Sequence, residues 1–394
     1  MGDFMFLVFV ILFFVSPLIG LFASILALFF TKKPYRYCIL IALSLAIIAY
    51  FFEPTSAYDL YRIFEKVTWL KEMSINHFLQ MYIGNIEIGF NFCLYVISNL
   101  LNEHFIPAIF CFIGYMIMFY IICDYAQLKQ MSSFNVAFTV LIFLLSYQHM
   151  LLISGIRNFI AMIFFVFLLY VEKIKGKENI FTHLLYIVPV LFHSSMIFFV
   201  LIRILLLVKE KFMDKLVIVM AILIAVAPRV ILQILSLFQT NALFSTLYDR
   251  LNNYLLASTS NFYSTLILLA MFFQLTLYIY LYWYVQKKKS DVKQNKFYRF
   301  VKYILILTIG MIPYTVVFDR MLIMLSCLTV ILLVDYLNLT FSIKKINKFF
   351  CYGVIFLVAL FLFRNQLYNY YLDLKSAILN SYENSVTQII EMRR

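Results

Sequence analysis

The chain has 394 residues, of which 64% are hydrophobic and only 13% are charged, and its mean hydropathy is +0.94. A soluble domain is nearer to half apolar and a quarter charged, so this composition excludes an ordinary soluble domain and predicts an all-α, polytopic integral membrane protein. The net charge of +13 comes from lysines grouped in short loops, which is typical of the cytoplasmic side of a membrane protein, and we expect no nucleic-acid partner.

The apolar runs, taken in chain order, predict about 12 transmembrane helices, the first at 4–30 and the last at 349–365. Short basic clusters separate many of these runs, for example at Lys32–Lys33, Lys173–Lys177 and Lys287–Lys289. Because lysines are retained on the cytoplasmic side, these clusters orient the spans and place the N-terminus outside.

This orientation leaves two larger periplasmic loops, at 53–104 and 239–263. Within the first loop, residues 86–101 are apolar but short and carry polar side chains, so we expect a helix lying along the outer membrane surface. Residues 1–394 are predicted to form a single membrane domain, with a polar tail at 366–394 to which the sequence assigns no role.

The sequence lacks the motifs of familiar soluble enzymes. It has no glycine-rich phosphate loop, no Gly-x-Ser-x-Gly turn and no His-Glu-x-x-His pair, and we expect no cofactor. The acids are few and the histidines do not cluster, which argues against a catalytic metal. The six cysteines form no Cys-x-x-Cys pair, so neither a zinc site nor a disulfide framework is predicted.

Ionisable residues near the predicted outer face are the first candidates for function, because such groups are costly in a membrane. Asp59 follows the second span and can act as a base, whereas a local ion pair with Arg62 is the ordinary alternative. Arg157 opens a span with Asn158 beside it, and its planar guanidinium suits a phosphate, although an arginine reaching out to the interface gives the same pattern. Glu87, in the first outer loop, is either a supporting acid or a solvated charge.

A second group of candidates follows later in the chain. His193 and Ser194 separate two short apolar runs, and a histidine there can act as a base, an acid or a pyrophosphate ligand, or can be a purely structural residue. Asp319 precedes Arg320 between two late spans, where the carboxylate can hold the guanidinium in place or form an ordinary turn.

Two further arginines complete the set. Arg229 follows Pro228 in the middle of a predicted span, where an arginine costs at least about 2.5 kcal/mol and needs a partner or a watery cavity. Arg250 lies in the second outer loop, where it is either a ligand for an anion or an ordinary solvated charge. Several arginines on one side of an apolar bundle imply an anionic substrate, and a lipid-linked pyrophosphate is the candidate that resides in a membrane.

At these positions the sequence resembles the EpsG-type and Wzy-type polysaccharide polymerases of bacterial inner membranes. The His-Ser element and its distance from the Arg-x-x-x-Ala element are the most specific part of the resemblance, and the family more often carries Gln where this chain has Asn158. The elements, in order, are Asp59 with Tyr61, Glu87 to Phe90, Arg157 with Asn158 and Ala161, Phe192 to Ser195, and Arg320.

The resemblance implies a GT-C-like glycosyltransferase fold with its site at the outer face of the bacterial inner membrane. It implies a polymerase of O-antigen or another surface polysaccharide, acting on oligosaccharides linked to undecaprenyl pyrophosphate, with a chain-length regulator as a possible partner. A flippase, a ligase and another glycosyl- or acyltransferase stay open as alternatives. In this reading Asp59 or His193 is the base, the pyrophosphate ligands are Arg157, Arg320, Arg229 and Arg250, and the supporting residues are Arg62, Glu87, Asn158, Ser194 and Asp319.

Overall fold

The structure is a computed structural model that describes residues 2–147, 149–226, 265–288, 295–340 and 345–386, together with residues 232, 233, 236, 237, 245, 248, 249, 252 and 388. The regular elements in these residues are helices, which confirms the all-α prediction. Contacts divide the chain into two compact units. Unit 1 comprises Met1–Ile197 and Leu333–Arg394, and unit 2 comprises Phe198–Leu332. A single membrane domain over 1–394 stays a prediction.

The helices are numbered here in chain order over the described residues. In the first half of the chain they are α1 Gly2–Val15, α2 Pro17–Leu28, α3 Pro34–Tyr50, α4 Asp59–Lys71, α5 Ile75–Tyr82, α6 Ile88–Leu100, α7 Phe105–Leu128, α8 Ser133–Ser146, α9 His149–Ser154, α10 Ile156–Lys173, α11 Ile180–Leu185, α12 Ile187–Phe192 and α13 Met196–Leu205. The later helices are α14 Glu210–Val226, α15 Thr265–Lys288, α16 Lys296–Gly310, α17 Thr315–Thr340 and α18 Lys345–Glu383.

Unit 1 has its core between α3, α7 and α10. Helix α7 packs against both α3 and α10, and α18 contacts α3 and α8 from the other end of the chain. Gly114 lets α7 approach α10 closely, since a Cβ at this position would lie 3.1 Å from Cδ1 of Ile163. A buried polar contact connects α7 to α17. The Tyr125 hydroxyl lies 3.1 and 3.0 Å from the two carboxylate oxygens of Asp335, which accept its hydrogen bond.

The first apolar run differs from the single span that the sequence predicts. It is divided at Ser16, whose backbone is extended and whose hydroxyl caps α2 by accepting a hydrogen bond from the Ile19 N–H. Pro17 then occupies the first position of α2, where its missing N–H costs nothing. Hydropathy does not change across this break, so the apolar pattern alone predicts one continuous helix.

Unit 2 contains most of α13, all of α14, α15 and α16, and most of α17. Helices α14 and α16 pack closely where Gly310 meets Ala221, since a Cβ on this glycine would lie 2.6 Å from the Ala221 carbonyl oxygen. At the other end of the same pair, Lys302 forms an ion pair with Asp214 at 2.6 Å. Both contacts fix the register of α14 against α16.

Three helices in the described part of the chain are long and apolar enough to cross a membrane, namely Phe105–Leu128, Ile267–Lys288 and Thr315–Thr340. Shorter apolar helices accompany them, so the chain is a helical membrane protein. The count of about 12 spans and the sidedness of the loops stay predictions.

The predicted outer segments are seen only in part. The first, 53–104, contains α4, α5 and α6, and α6 is about 20 Å long, well short of the ~30 Å hydrocarbon core. Its proposed position along the membrane surface stays a prediction. Most of the second loop, 239–263, lies outside the described residues, and the polar tail from 366 is helical as far as Glu383.

Candidate functional site

Three helix ends in unit 1 meet at one point and bring together residues that are far apart in the sequence. Glu87 immediately precedes α6, Arg157 lies in the first turn of α10, and His193 immediately follows α12 with Ser194 next to it. Helix ends carry backbone groups without helical partners, so side chains placed there can be both buried and directed at one another.

The Glu87 carboxylate is the centre of this cluster. One oxygen accepts a hydrogen bond from Nη1 of Arg157 at 2.9 Å. The other oxygen lies 3.1 Å from Nδ1 of His193, and it accepts hydrogen bonds of 3.4 and 3.2 Å from the backbone N–H and the hydroxyl of Ser194. Of the two readings that the sequence leaves open at Glu87, the solvated loop charge does not fit, because the side chain is only 15% exposed.

Close backbone packing explains why Glu87 reaches His193. Gly89 lies in the first turn of α6, and a Cβ there would be 2.9 Å from Cβ of Leu191 and 3.3 Å from its carbonyl oxygen. The absence of a side chain thus allows α6 to contact α12 directly, and it sets Glu87 beside the residue that follows α12.

A cluster of phenylalanine rings lies close to the charged groups and connects the same three helices, α6, α10 and α12. Phe192 of α12 has its ring centroid 6.2 Å from that of Phe90 in α6 and 5.3 Å from that of Phe164 in α10. Edge-to-face contacts of this kind orient the rings as well as burying them. Phe90 follows Glu87 by three residues and Phe192 directly precedes His193, so the packing of the rings fixes the spacing of the polar groups.

The electrostatics of the cluster keep Glu87 ionised. Burial alone would raise the pKa of this carboxyl, but the hydrogen bond and charge of His193, the charge of Arg157 and the Ser194 N–H together lower the pKa to about 2. A carboxylate of this kind is a weak base. It instead orients its neighbours, since an ionised carboxylate can only accept and Nδ1 of His193 must therefore donate. In a neutral imidazole this leaves Nε2 as the acceptor.

Lys66, which the sequence analysis does not select, belongs to the same region. Its Nζ donates to Oδ1 of Asn91 at 2.6 Å and lies 4.9 Å from the centroid of the Tyr82 ring. Burial, and then the charge of Arg157, lower the pKa of Lys66, while Glu87 raises it. The sequence does not single out Lys66, because α4 carries several basic residues and its charges resemble those of an ordinary solvated helix face.

Asp59 and Arg62 lie apart from this arrangement as an exposed local pair. They interact at 3.4 Å across three residues of α4, with side chains 47% and 74% exposed. This is the ion pair that the sequence analysis gives as the ordinary alternative, and the assignment of Asp59 as a base stays a prediction. Asn158 is buried beside Arg157, and its Oδ1 accepts no hydrogen bond from the described residues.

The remaining arginine candidates belong to unit 2 or fall outside the description. Asp319 and Arg320 lie near the start of α17 and are both half-buried. Arg229 and Arg250 lie outside the described residues. In the described part of the chain, no group of three or more His, Cys, Asp or Glu side chains is placed to hold a metal ion.

One comparison with known proteins identifies the family of the chain. The family profile described as "EpsG family" matches residues 35–380, which is most of the chain and includes every residue of the Glu87 cluster. Searches of curated proteins and of solved structures returned no match, so the GT-C-like fold stays a prediction. With a match of this extent, the chain belongs to the EpsG family and is a membrane protein of polysaccharide biosynthesis.

Proposed function

We propose that this protein is a polymerase of O-antigen or a related surface polysaccharide in the bacterial inner membrane. It would transfer a growing glycan from undecaprenyl pyrophosphate to the end of a lipid-linked repeat unit at the periplasmic face. The observation that carries the proposal is the meeting of Glu87, Arg157 and His193 at three helix ends, in a chain whose family is associated with glycosyltransferase-like polymerases.

The reaction joins a sugar hydroxyl to an anomeric carbon. The acceptor oxygen forms a bond to that carbon, the bond from the carbon to the pyrophosphate oxygen breaks, and the pyrophosphate leaves with the electron pair. The proton of the hydroxyl needs a base, and the leaving group needs positive charge to stabilise it.

His193 is the base that this geometry favours over Asp59. The Glu87 carboxylate holds Nδ1 of the ring, which directs the acceptor nitrogen Nε2 to the opposite side. A carboxylate beside an imidazole also stabilises the cation that forms when the proton is taken up. Asp59, in contrast, pairs with Arg62 at an exposed position.

Arg157 is the proposed ligand of the pyrophosphate. Glu87 holds the guanidinium through Nη1, yet the side chain is 41% exposed, so its further N–H groups can donate to an anion. Helices α6 and α10 begin beside Glu87 and Arg157, which contact one another, and the partial positive charge of a helix N-terminus favours a negative ligand. Arg320, Arg229 and Arg250 stay proposed as further pyrophosphate ligands, and a chain-length regulator as a partner.

The first test is deletion of the gene in the source organism, followed by electrophoresis of the surface glycolipid. If the protein is the polymerase, the glycolipid of the deletion strain should carry a single repeat unit, and restoring the gene should restore the full ladder. A glycolipid with no repeat unit would indicate a flippase or a ligase and would refute the proposal.

Arg157→Lys then tests the site in the restored strain. A lysine keeps the charge but loses the planar fork, so we expect polymerisation to fall by about 100-fold while the protein still accumulates. Arg364→Lys, at an exposed position of α18, is the matched control and should leave the ladder unchanged. Glycans of normal length from Arg157→Lys would contradict the proposed role of the arginine.

A further inference from the structure

Lys66 lies at the candidate site on α4, whereas the other charged groups of the site lie at the ends of α6, α10 and α12. It is held by Asn91, which is 4% exposed and lies four residues after Glu87. The Asn91 N–H closes the first turn of α6 on the Glu87 carbonyl oxygen at 3.1 Å, so one helical turn carries both the carboxylate and the amide that binds the lysine. The position of the ammonium is therefore tied to that of Glu87.

The charges at this place do not cancel. Among the described residues that contact one another here, Lys66 and Arg157 contribute two positive charges and Glu87 contributes one negative charge, which leaves one positive charge even when His193 is neutral. An amide oxygen holds an ammonium group without neutralising it. A partly buried excess of positive charge is costly unless an anion offsets it.

We propose that Lys66 and Arg157 form a two-cation clamp for the diphosphate of the lipid-linked substrate, with Asn91 aiming the ammonium. This inference rests on the proposed function and adds to it a second phosphate ligand on α4. The two cations differ in a useful way, because a guanidinium binds two oxygens in a fixed plane whereas an ammonium acts as a point charge that follows the phosphate. The clamp also accounts for the burial of a lysine against the Tyr82 ring.

The test uses the purified full-length protein in detergent and magnesium-free inorganic pyrophosphate as the probe, with sodium sulfate at equal ionic strength as a reference. Pyrophosphate is expected to raise the midpoint of thermal unfolding of the wild type, and its dependence on concentration gives an apparent Kd. We expect Lys66→Met to weaken this binding at least about tenfold, and Lys66→Arg to retain most of it because the charge is kept.

Lys71→Met is the matched control. Lys71 lies five residues further along α4, where it forms an exposed pair with Glu103 at 3.1 Å, and its loss should leave the apparent Kd within about twofold. Should Lys66→Met not accumulate, Lys66→Gln replaces it with the same expected result.

The outcomes separate this inference from the proposed function. Unchanged pyrophosphate binding in Lys66→Met, together with weakened binding in Arg157→Lys, would overturn the role of Lys66 alone. A wild type that polymerises glycan but does not bind pyrophosphate would overturn the clamp and leave polymerisation standing. A gene deletion without effect on polymerisation would remove the basis of both.

Discussion

Replacing Glu87 by glutamine tests whether one carboxylate organises the site. Gln has almost the same shape as Glu, so Glu87→Gln removes the charge and presents an amide to groups that all donate hydrogen bonds. Arg157, His193 and Ser194 each lose a charge-assisted acceptor. We therefore expect loss of both stability and polymerisation.

The size of the effect follows from the electrostatics of the carboxylate. Its pKa is lowered from the ordinary 4.5 to about 2, which corresponds to about 3 kcal/mol of stabilisation of the ionised form. The side chain is 15% exposed, so solvent screening removes little of this energy. For a chain of this size, a loss of about 3 kcal/mol lowers the midpoint of thermal unfolding by roughly 4 °C.

The assay is thermal unfolding of the purified protein in detergent at neutral pH, read beside the glycan ladder of the restored strain. Glu65→Gln is the matched control, because Glu65 is an exposed acid on α4 and its loss should change neither measurement. A Glu87→Gln protein with wild-type stability and a full ladder would refute the reasoning, since the carboxylate would then hold nothing in place.

Three further predictions concern packing and pH. Gly89→Ala should shorten or abolish the glycan ladder, because the added Cβ pushes α6 away from α12. Gly353→Ala is the control and should leave the ladder intact, since a Cβ there meets no atom within 4 Å. Equal ladders from the two variants would show that close approach of α6 and α12 is not required. Phe192→Ala should cost about 3–5 kcal/mol by opening a cavity among the rings, measured by thermal unfolding, and a loss below about 1 kcal/mol would contradict the packing. The stability difference between wild type and Glu87→Gln should be complete above pH 4.5 and should disappear as the pH falls toward 2, because protonation removes the charge; a difference that persists at pH 2 would exclude the ionised carboxylate as its source.

The sequence selects some of the residues that the structure brings together, because they interrupt apolar runs. Arg157 follows a Ser-Gly break and His193 separates two short apolar segments, and the structure brings these two residues to the same carboxylate. Polar groups inside hydrophobic stretches are conspicuous, and their cost restricts them to positions with partners.

Lys66 could not be recognised in the same way, and Glu87 is selected only as a supporting acid with a solvated charge as its alternative. A lysine on a polar helix or an acid in a loop is normally solvated, and the burial of these two residues arises from contacts between helices distant in sequence. Gly89 determines how closely α6 approaches α12, and nothing in the local pattern of hydropathy around it indicates that contact. Hydropathy does not reveal the break at Ser16 for a related reason, because a helix can end within a run that stays apolar throughout.

The three phenylalanines that pack next to the candidate site matter for any attempt to redesign that site. Helices α6, α10 and α12 each hold one charged residue of the site at one end, and each also contributes one ring. The packing of Phe90, Phe164 and Phe192 therefore aligns the three charged residues. In a mutational screen, substitutions at these apolar positions are expected to imitate the loss of a charged group, because they disturb the alignment of Glu87, Arg157 and His193. Variants meant to accept a different sugar should therefore keep all three rings and vary the polar surroundings.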